Sequence, residues 1–394
     1  MTLLKFRNIK FIPKNEKIKV LFMEHFYFYT SSDELKKISD FKIISDNSIE
    51  FQKAKNSEKR FFFFLNQKFR ELKSVISNKE CIYIHSNSGI PLIGSSEFGI
   101  VDRATNMIEI KPITLCNIDC IYCSVDQNKR RADYVVEEEY LIDELNKVIK
   151  IKKNKVNIHI GGQGEPTLYS DLEKLATDLR SKREVNHISI ATNAVLLSKK
   201  KADSLIRSGI THFHISLNAF SKEKCDFISC RNYPIEQVKS ICKHIAKNAK
   251  LVIAPVYIPS VNDSEIEELI LFSKKINSPI MIQNFLEYRF GKRPVNSIPM
   301  KLFFQKLSLL EKKYDVNLTA LSEPKIIADE KLPKPFHKGD VIDVIIVGNA
   351  RIPNAKLGVC KDRSVIIADC FRDNGKIRAR IIRDKDNIFV GVPA

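Results

Sequence analysis

The sequence predicts an α/β protein in three parts: a mixed α+β region, a run of six β-α units and a short all-β tail. Three observations predict it. Between residues 103 and 325, short apolar strands alternate with amphipathic helical stretches, the pattern of a parallel sheet covered by helices. After a proline-spaced linker at residues 331–336, five short β-rich runs are punctuated by Gly339, Gly348, Gly358, Gly375 and Gly391, which reads as a small closed barrel. Residues 1–102 follow neither rhythm. The expected domains are therefore 1–102, 103–325 and 336–394.

Composition narrows the function classes. The chain has 394 residues, 44% of them hydrophobic and 28% charged, so wholesale disorder is excluded. No apolar window is long enough to span a bilayer, and the run at residues 20–23 meets Glu24 and His25, unlike a signal peptide. Nine cysteines, an odd number in a long chain, point away from a disulfide scaffold and towards metal or redox chemistry in a reducing cytoplasm. Sixty-five Lys and Arg against 47 Asp and Glu give a net charge of +18, which favours polyanionic partners through counterion release. Lysine is scattered along the whole chain, however, so charge alone discriminates little.

In the first region, residues 19–23 form an apolar run and residues 57–76 read as helical. Phe61, Phe62, Phe63 and Phe64 cannot share one helix face, so they are expected to bury between two layers. The six units pair strands 108–115, 156–160, 186–192, 211–218, 250–258 and 279–286 with helices that follow each, the first at 136–152 and the last at 299–314. Ser170, Ser198 and Asn262 stand where helix caps belong. Six units suit a three-quarter (β/α) barrel or an open doubly wound sheet, and both put chemistry at the carboxyl ends of the strands. The tail strands are expected at 341–347, 356–360, 364–370, 377–383 and 387–392. Residues 338–394 carry eleven Lys and Arg against seven Asp and Glu.

The strongest chemical signal follows the first of these strands: Cys116-Asn-Ile-Asp-Cys120-Ile-Tyr-Cys123. Three thiolates so spaced can wrap one cubane iron–sulfur cluster and leave one iron open. A zinc knuckle would need a fourth ligand nearby, and neither His nor Cys lies between Cys123 and His159. A non-enzymatic zinc and RNA-binding protein is the alternative from another class.

This motif, with Tyr122 as its aromatic position, resembles that of the radical S-adenosylmethionine (radical SAM) superfamily. The resemblance implies a partial (β/α)6 barrel. It also implies a [4Fe-4S] cluster on Cys116, Cys120 and Cys123, with S-adenosylmethionine chelated at the open iron and cleaved reductively to a 5′-deoxyadenosyl radical. Gly161-Gly162-Gln163-Gly164-Glu165-Pro166 resembles the superfamily's GGEP segment, so Gly162, Gln163, Gly164, Glu165 and Pro166 are cofactor-binding candidates, with two extra residues before the glutamate. Thr192 and Asn193 stand where the family often shows TNG, here with Ala194 in place of glycine. Ser216 and Asn218 end the fourth strand as further candidates, as does Tyr122. Each polar strand end could equally be simple capping.

The basic loop Lys129, Arg130 and Arg131 is either a phosphate contact at the site's mouth or a solvated loop. Cys225, Cys230 and Cys242 match no auxiliary-cluster spacing and read as packed thiols, Cys81 stands alone in the first region, and Cys360 and Cys370 fall in the tail. His159, His212 and His214 read as strand residues without a catalytic role. The tail resembles a TRAM domain, a small RNA-binding barrel of RNA-modifying enzymes. The layout resembles a family of archaeal radical SAM proteins through residues 90–102, 123–126 and 253–263. Methylthiotransferases match only in part, because their second three-cysteine cluster has no counterpart in the first hundred residues. The resemblances imply a cytoplasmic enzyme acting on structured RNA such as tRNA, fed electrons by a low-potential donor such as ferredoxin and without a membrane. Radical chemistry on a protein, peptide or small molecule is the nearer alternative.

Overall fold

In a computed structural model describing residues 1–52, 56–319 and 324–394, the β-α alternation becomes one curled sheet. Its parallel strands lie side by side in chain order: Met107–Lys111, Val156–Ile160, Val185–Thr192, His212–Ile215 and Lys250–Ile253. A parallel bridge from Ile253 to Ile280, then Val256–Tyr257 beside Gln283–Asn284, extends the curl. Sequential order without a switch point is barrel topology, so the doubly wound alternative falls. Gly99–Asp102 closes the other edge antiparallel to Met107–Lys111. Helices cover the outside with their apolar faces; Leu141, Leu145 and Val148 of Glu138–Ile149 are representative.

Several expected elements are shorter or interrupted. The first strand stops at Lys111, and the 250–258 strand breaks at Ala254 and Pro255. The helix expected from 136 starts at Glu138, because Ala132–Val136 is a strand instead. That strand pairs in parallel with Glu80–Ile84 of a second six-stranded sheet built mostly from the first hundred residues. The helical run from residue 57 ends at Lys68, and Lys73–Ser74 is already a strand. Of the four phenylalanines only Phe61 is fully buried, against Phe6, Phe11 and Phe51, while Phe63 is 64% exposed. A helix turns 100° per residue, so one layer suffices for Phe61 and leaves Phe62 and Phe63 outside.

Ser198 caps its helix by accepting from the Lys201 amide at 3.1 Å. Ser170 and Asn262 do not cap. Ser170 Oγ donates to the Met23 carbonyl, and the Asn262 amide group spans Asn218, Val256 and Ile258.

The tail closes as a five-stranded barrel of Val341–Asn349, Ala355–Cys360, Arg363–Ala368, Gly375–Arg383 and Val390–Pro393. It has its own core around Phe336, Val344, Ile367 and Phe389. It is also sewn to the central barrel. Ser364 donates to the carbonyls of Ile93 and Pro91, and the Phe389 amide donates to Gly94. A side chain at Gly94, whose φ is +127°, would strike the Ser364 carbonyl oxygen at 2.0 Å. Among the described residues no helix is long and apolar enough to cross a membrane.

Candidate active site at the carboxyl ends of the barrel strands

The loop between Met107–Lys111 and Ala132–Val136 carries the three cysteines, and all three line one cavity of about 410 Å³. The loop has no regular structure of its own and is held from outside. Asp119 and Ile121 donate their amides to the carbonyls of Ser229 and Ile228, and the Cys123 carbonyl accepts from the Lys292 amide at 2.9 Å. Gly291 packs so closely that a side chain there would meet that same carbonyl. Burial pushes the Cys116 thiol up to about 12 and raises Cys120 as well, and neighbouring cysteines add to both shifts. Neutral thiols are therefore favoured until a cation compensates the thiolates.

The glycine loop lies against the start of the cluster loop. Gly164 leaves no room for a side chain: its Cβ would meet the backbone of residues 113–115 at 2.6–2.8 Å. The Glu165 carboxylate is buried and fully engaged. One oxygen accepts from the Thr167 amide and the Thr167 and Thr192 hydroxyls, and the other from the Asn193 amide. Burial raises its pKa, and these donors oppose the shift. Glu165 is thus a brace between two strand ends, with Pro166 starting a short turn behind it. Ala194 adopts φ +59° although it is not glycine, held by the Thr192 hydroxyl accepting from its amide.

Gly162, Gln163, Gly164, Glu165, Thr192, Asn193 and Ser216 meet the cysteines and Tyr122 around the one cavity. Asn218 stands back from it. Its amide group donates to the Tyr122 hydroxyl and accepts from the Val256 amide, so it fixes Tyr122 in place. The basic loop does not stay together. Lys129 is exposed and pairs with Asp126 at 3.5 Å, and Arg131 is exposed. Arg130 is buried in a two-pronged pair with Asp133 at 2.8 and 2.9 Å, which removes it from any substrate. Cys225 and Cys242 are buried in the apolar core and Cys230 is exposed.

Other residues of the site carry no local sequence signal. Residues 283–286 and Tyr288 form one wall, and His159 rises from the floor, its ring bonded to the Ser189 hydroxyl at 2.9 Å. Gln127 directs its Nε2 at Cys123 Sγ, 3.8 Å away. Gln127 Oε1 and Asn117 Nδ2 are buried without a partner.

These features fit a cubane with an amino-acid-bearing nucleoside beside it. The donor set is thiolate. A glycine cradle adjoins the thiols, and two orphaned polar atoms lie at the same loops.

Comparison with known proteins agrees. The Radical SAM superfamily model matches residues 110–273. An uncharacterized protein of Methanocaldococcus jannaschii is 34% identical over 360 residues, 81% of this chain and 82% of its own. A GTP 3′,8-cyclase of Campylobacter jejuni subsp. doylei is 27% identical over 245 residues, 61% of this chain and 71% of that enzyme. The structure of Streptococcus suis SuiB bound to S-adenosylmethionine superposes with a TM-score of 0.44 at 15% identity, over 81% of this chain and 73% of SuiB. On the family model and the Methanocaldococcus relative, the chain belongs to the radical SAM superfamily, whose cofactors are a [4Fe-4S] cluster and S-adenosylmethionine.

Proposed function

We propose that this chain is a radical SAM enzyme that modifies a nucleoside in structured RNA, with tRNA as the substrate class. Cys116, Cys120 and Cys123 would hold the cluster, and Tyr122 with Gly162, Gln163 and Gly164 would border S-adenosylmethionine. When bound, these cofactors supply one-electron cleavage of the sulfonium and a carbon radical able to take hydrogen from an unactivated position. The chain's own residues position and enclose. Glu165 locks the glycine loop to the third strand's end, Asn218 orients Tyr122, and residues 283–286 wall the cavity on one side. The electron would come from a low-potential protein such as ferredoxin.

One observation carries the RNA assignment. On the terminal barrel, Gly375–Arg383 turns Lys376, Arg378 and Arg380 outward at alternate positions, while Ala379 and Ile381 fill the core. Phe371, 75% exposed, and Arg372 stand at the strand's approach. Basic side chains in a row beside an open aromatic ring suit phosphates and an unstacked base, which is the TRAM-like use of such a barrel.

The test is in two steps. Reconstituted anaerobically and reduced with dithionite in the presence of S-adenosylmethionine, the protein should release 5′-deoxyadenosine, and Cys120→Ala should lose both iron and product. Mass spectrometry of tRNA and rRNA nucleosides should then show a modification missing from a strain without the gene. An unchanged profile, with 5′-deoxyadenosine still formed, would redirect the substrate to a protein, peptide or small molecule.

A further inference from the structure

We infer that Arg351, carried by the terminal barrel, is a positioning residue of the cofactor site and that Gln163 is its counterpart in the glycine loop. The inference rests on reading the cavity as the cluster and S-adenosylmethionine site.

Arg351 lies between the first two strands of the terminal barrel, yet it is among the largest fully buried side chains of the protein. Its guanidinium forks across the seam. Nη1 donates to Gln163 Oε1 at 2.9 Å and to the Gln163 carbonyl at 3.4 Å. Nη2 donates to the Thr114 carbonyl at 3.1 Å, two residues before Cys116, and approaches Asp133 at 3.5 Å. Asp133 in turn grips Arg130, whose Nη1 donates to the Gln127 carbonyl at 2.5 Å. Gln127 then reaches Cys123. An Arg–Asp–Arg relay thus holds both ends of the cluster loop and the glycine loop at once, and its anchor belongs to a different barrel.

A clip between two barrels does not require this arrangement. Apolar contact would join them with less desolvation than two cations and a carboxylate. The partners chosen are carbonyls and an amide of the loops that border the cofactor. A planar guanidinium fixes the angle between such acceptors, which an ammonium on a flexible stem does not. The two residues that lengthen the glycine segment also find their purpose here. Gln163 supplies both acceptors to Nη1, and Gly164 lets the loop lie flat on residues 113–115.

The experiment uses the full-length protein with its cluster reconstituted. Radiolabelled S-adenosylmethionine binding is measured for wild type, Arg351→Lys, Arg351→Met and Gln163→Ala, alongside iron and sulfide content and the unfolding midpoint. We expect each variant to bind S-adenosylmethionine about tenfold or more weakly at unchanged iron content, as loss of a charge-assisted hydrogen bond implies. Lysine should fail to rescue although it keeps the charge. Gln163→Ala leaves the Asp133 pairs intact, and because Gln163 also borders S-adenosylmethionine its weakening counts for the relay only where Arg351→Lys shows the same loss. Wild-type affinity in Arg351→Lys or Gln163→Ala would overturn the inference. A wild-type protein that binds no cluster would overturn the reading beneath it, and the inference with it.

Discussion

Two basic groups of similar composition sit in opposite surroundings. Arg130 and Arg351 are buried around Asp133, whereas Lys376, Arg378 and Arg380 stand in solvent on one strand of the terminal barrel. The difference lies in their partners. Each buried guanidinium meets the carboxylate and loop acceptors, so its position is fixed and its charge is already answered. The exposed residues are loosely held: Lys376 shares an exposed pair with Asp343, and Arg380 donates to the Gly339 carbonyl at 3.4 Å. A charge already answered builds a site, and an unanswered one remains available to a polyanion. The sharpest way to break this contrast is Asp133→Asn. Arg130 would lose its counter-charge and Arg351 one of the two buried carboxylates beside it, the other being Glu97, and stability should fall by about 3–5 kcal/mol. Urea unfolding should show a lower midpoint at unchanged slope. A loss below about 1 kcal/mol would mean that the relay is not held by charge.

Buried histidines extend the contrast to bases without a counter-charge. His214 packs edge-on against His159, with ring centroids 5.6 Å apart. Burial, then the neighbouring His159 and His212, holds its pKa down to about 4. Burial also lowers His159, with Glu109 opposing. The sign follows from linkage: as pH falls from 6.5 towards 4, the unfolded chain takes up a proton that the folded chain refuses, so stability is lost. The His214 share should be about 2 kcal/mol between pH 7 and pH 5. Glu138, pushed up to about 7 by burial, acts in the opposite direction across that whole interval. The histidine's share is therefore the difference between wild type and His214→Gln in urea unfolding at the two pH values. Equal pH dependence in both proteins would show that His214 is not kept neutral by the fold.

The contrast also marks how far the sequence could be read. The cysteine loop and glycine segment were legible because their chemistry fixes short spacings along the chain. The barrel was legible because each helix and strand buries a periodic face. What escaped depends on partners distant in sequence. Ala132–Val136 reads as loop running into a helix at 136 until Glu80–Ile84 is beside it. Ser170 and Asn262 have cap chemistry but are claimed by Met23 and by Asn218 with Val256. Arg130 reads as part of a solvated run, although Asp133 three residues on offered a hint. Arg351 gave no local signal, because its partners Thr114, Asp133 and Gln163 precede it by well over a hundred residues. At Ala194 the lack of glycine argued against a left-handed turn, yet the Thr192 and Asn193 side chains impose it on alanine.

The smallest expected change in stability belongs to the exposed strand and sharpens the contrast from the other side. Replacing Lys376, Arg378 and Arg380 together with alanine removes three charges whose side chains contribute nothing to the barrel core. Exposed pairs are worth little, so unfolding free energy should move by no more than about 1 kcal/mol. RNA binding should respond very differently. If the three residues neutralise phosphates, their loss weakens binding and flattens the dependence of log affinity on log salt by about 2–3. Measuring tRNA affinity at several salt concentrations separates two causes that a single affinity would merge. A weaker but equally steep line means that the phosphates are met elsewhere and that the strand acts through shape. An unchanged line removes this strand from substrate binding and leaves Phe371 and Arg372 to carry whatever RNA contact the terminal barrel makes.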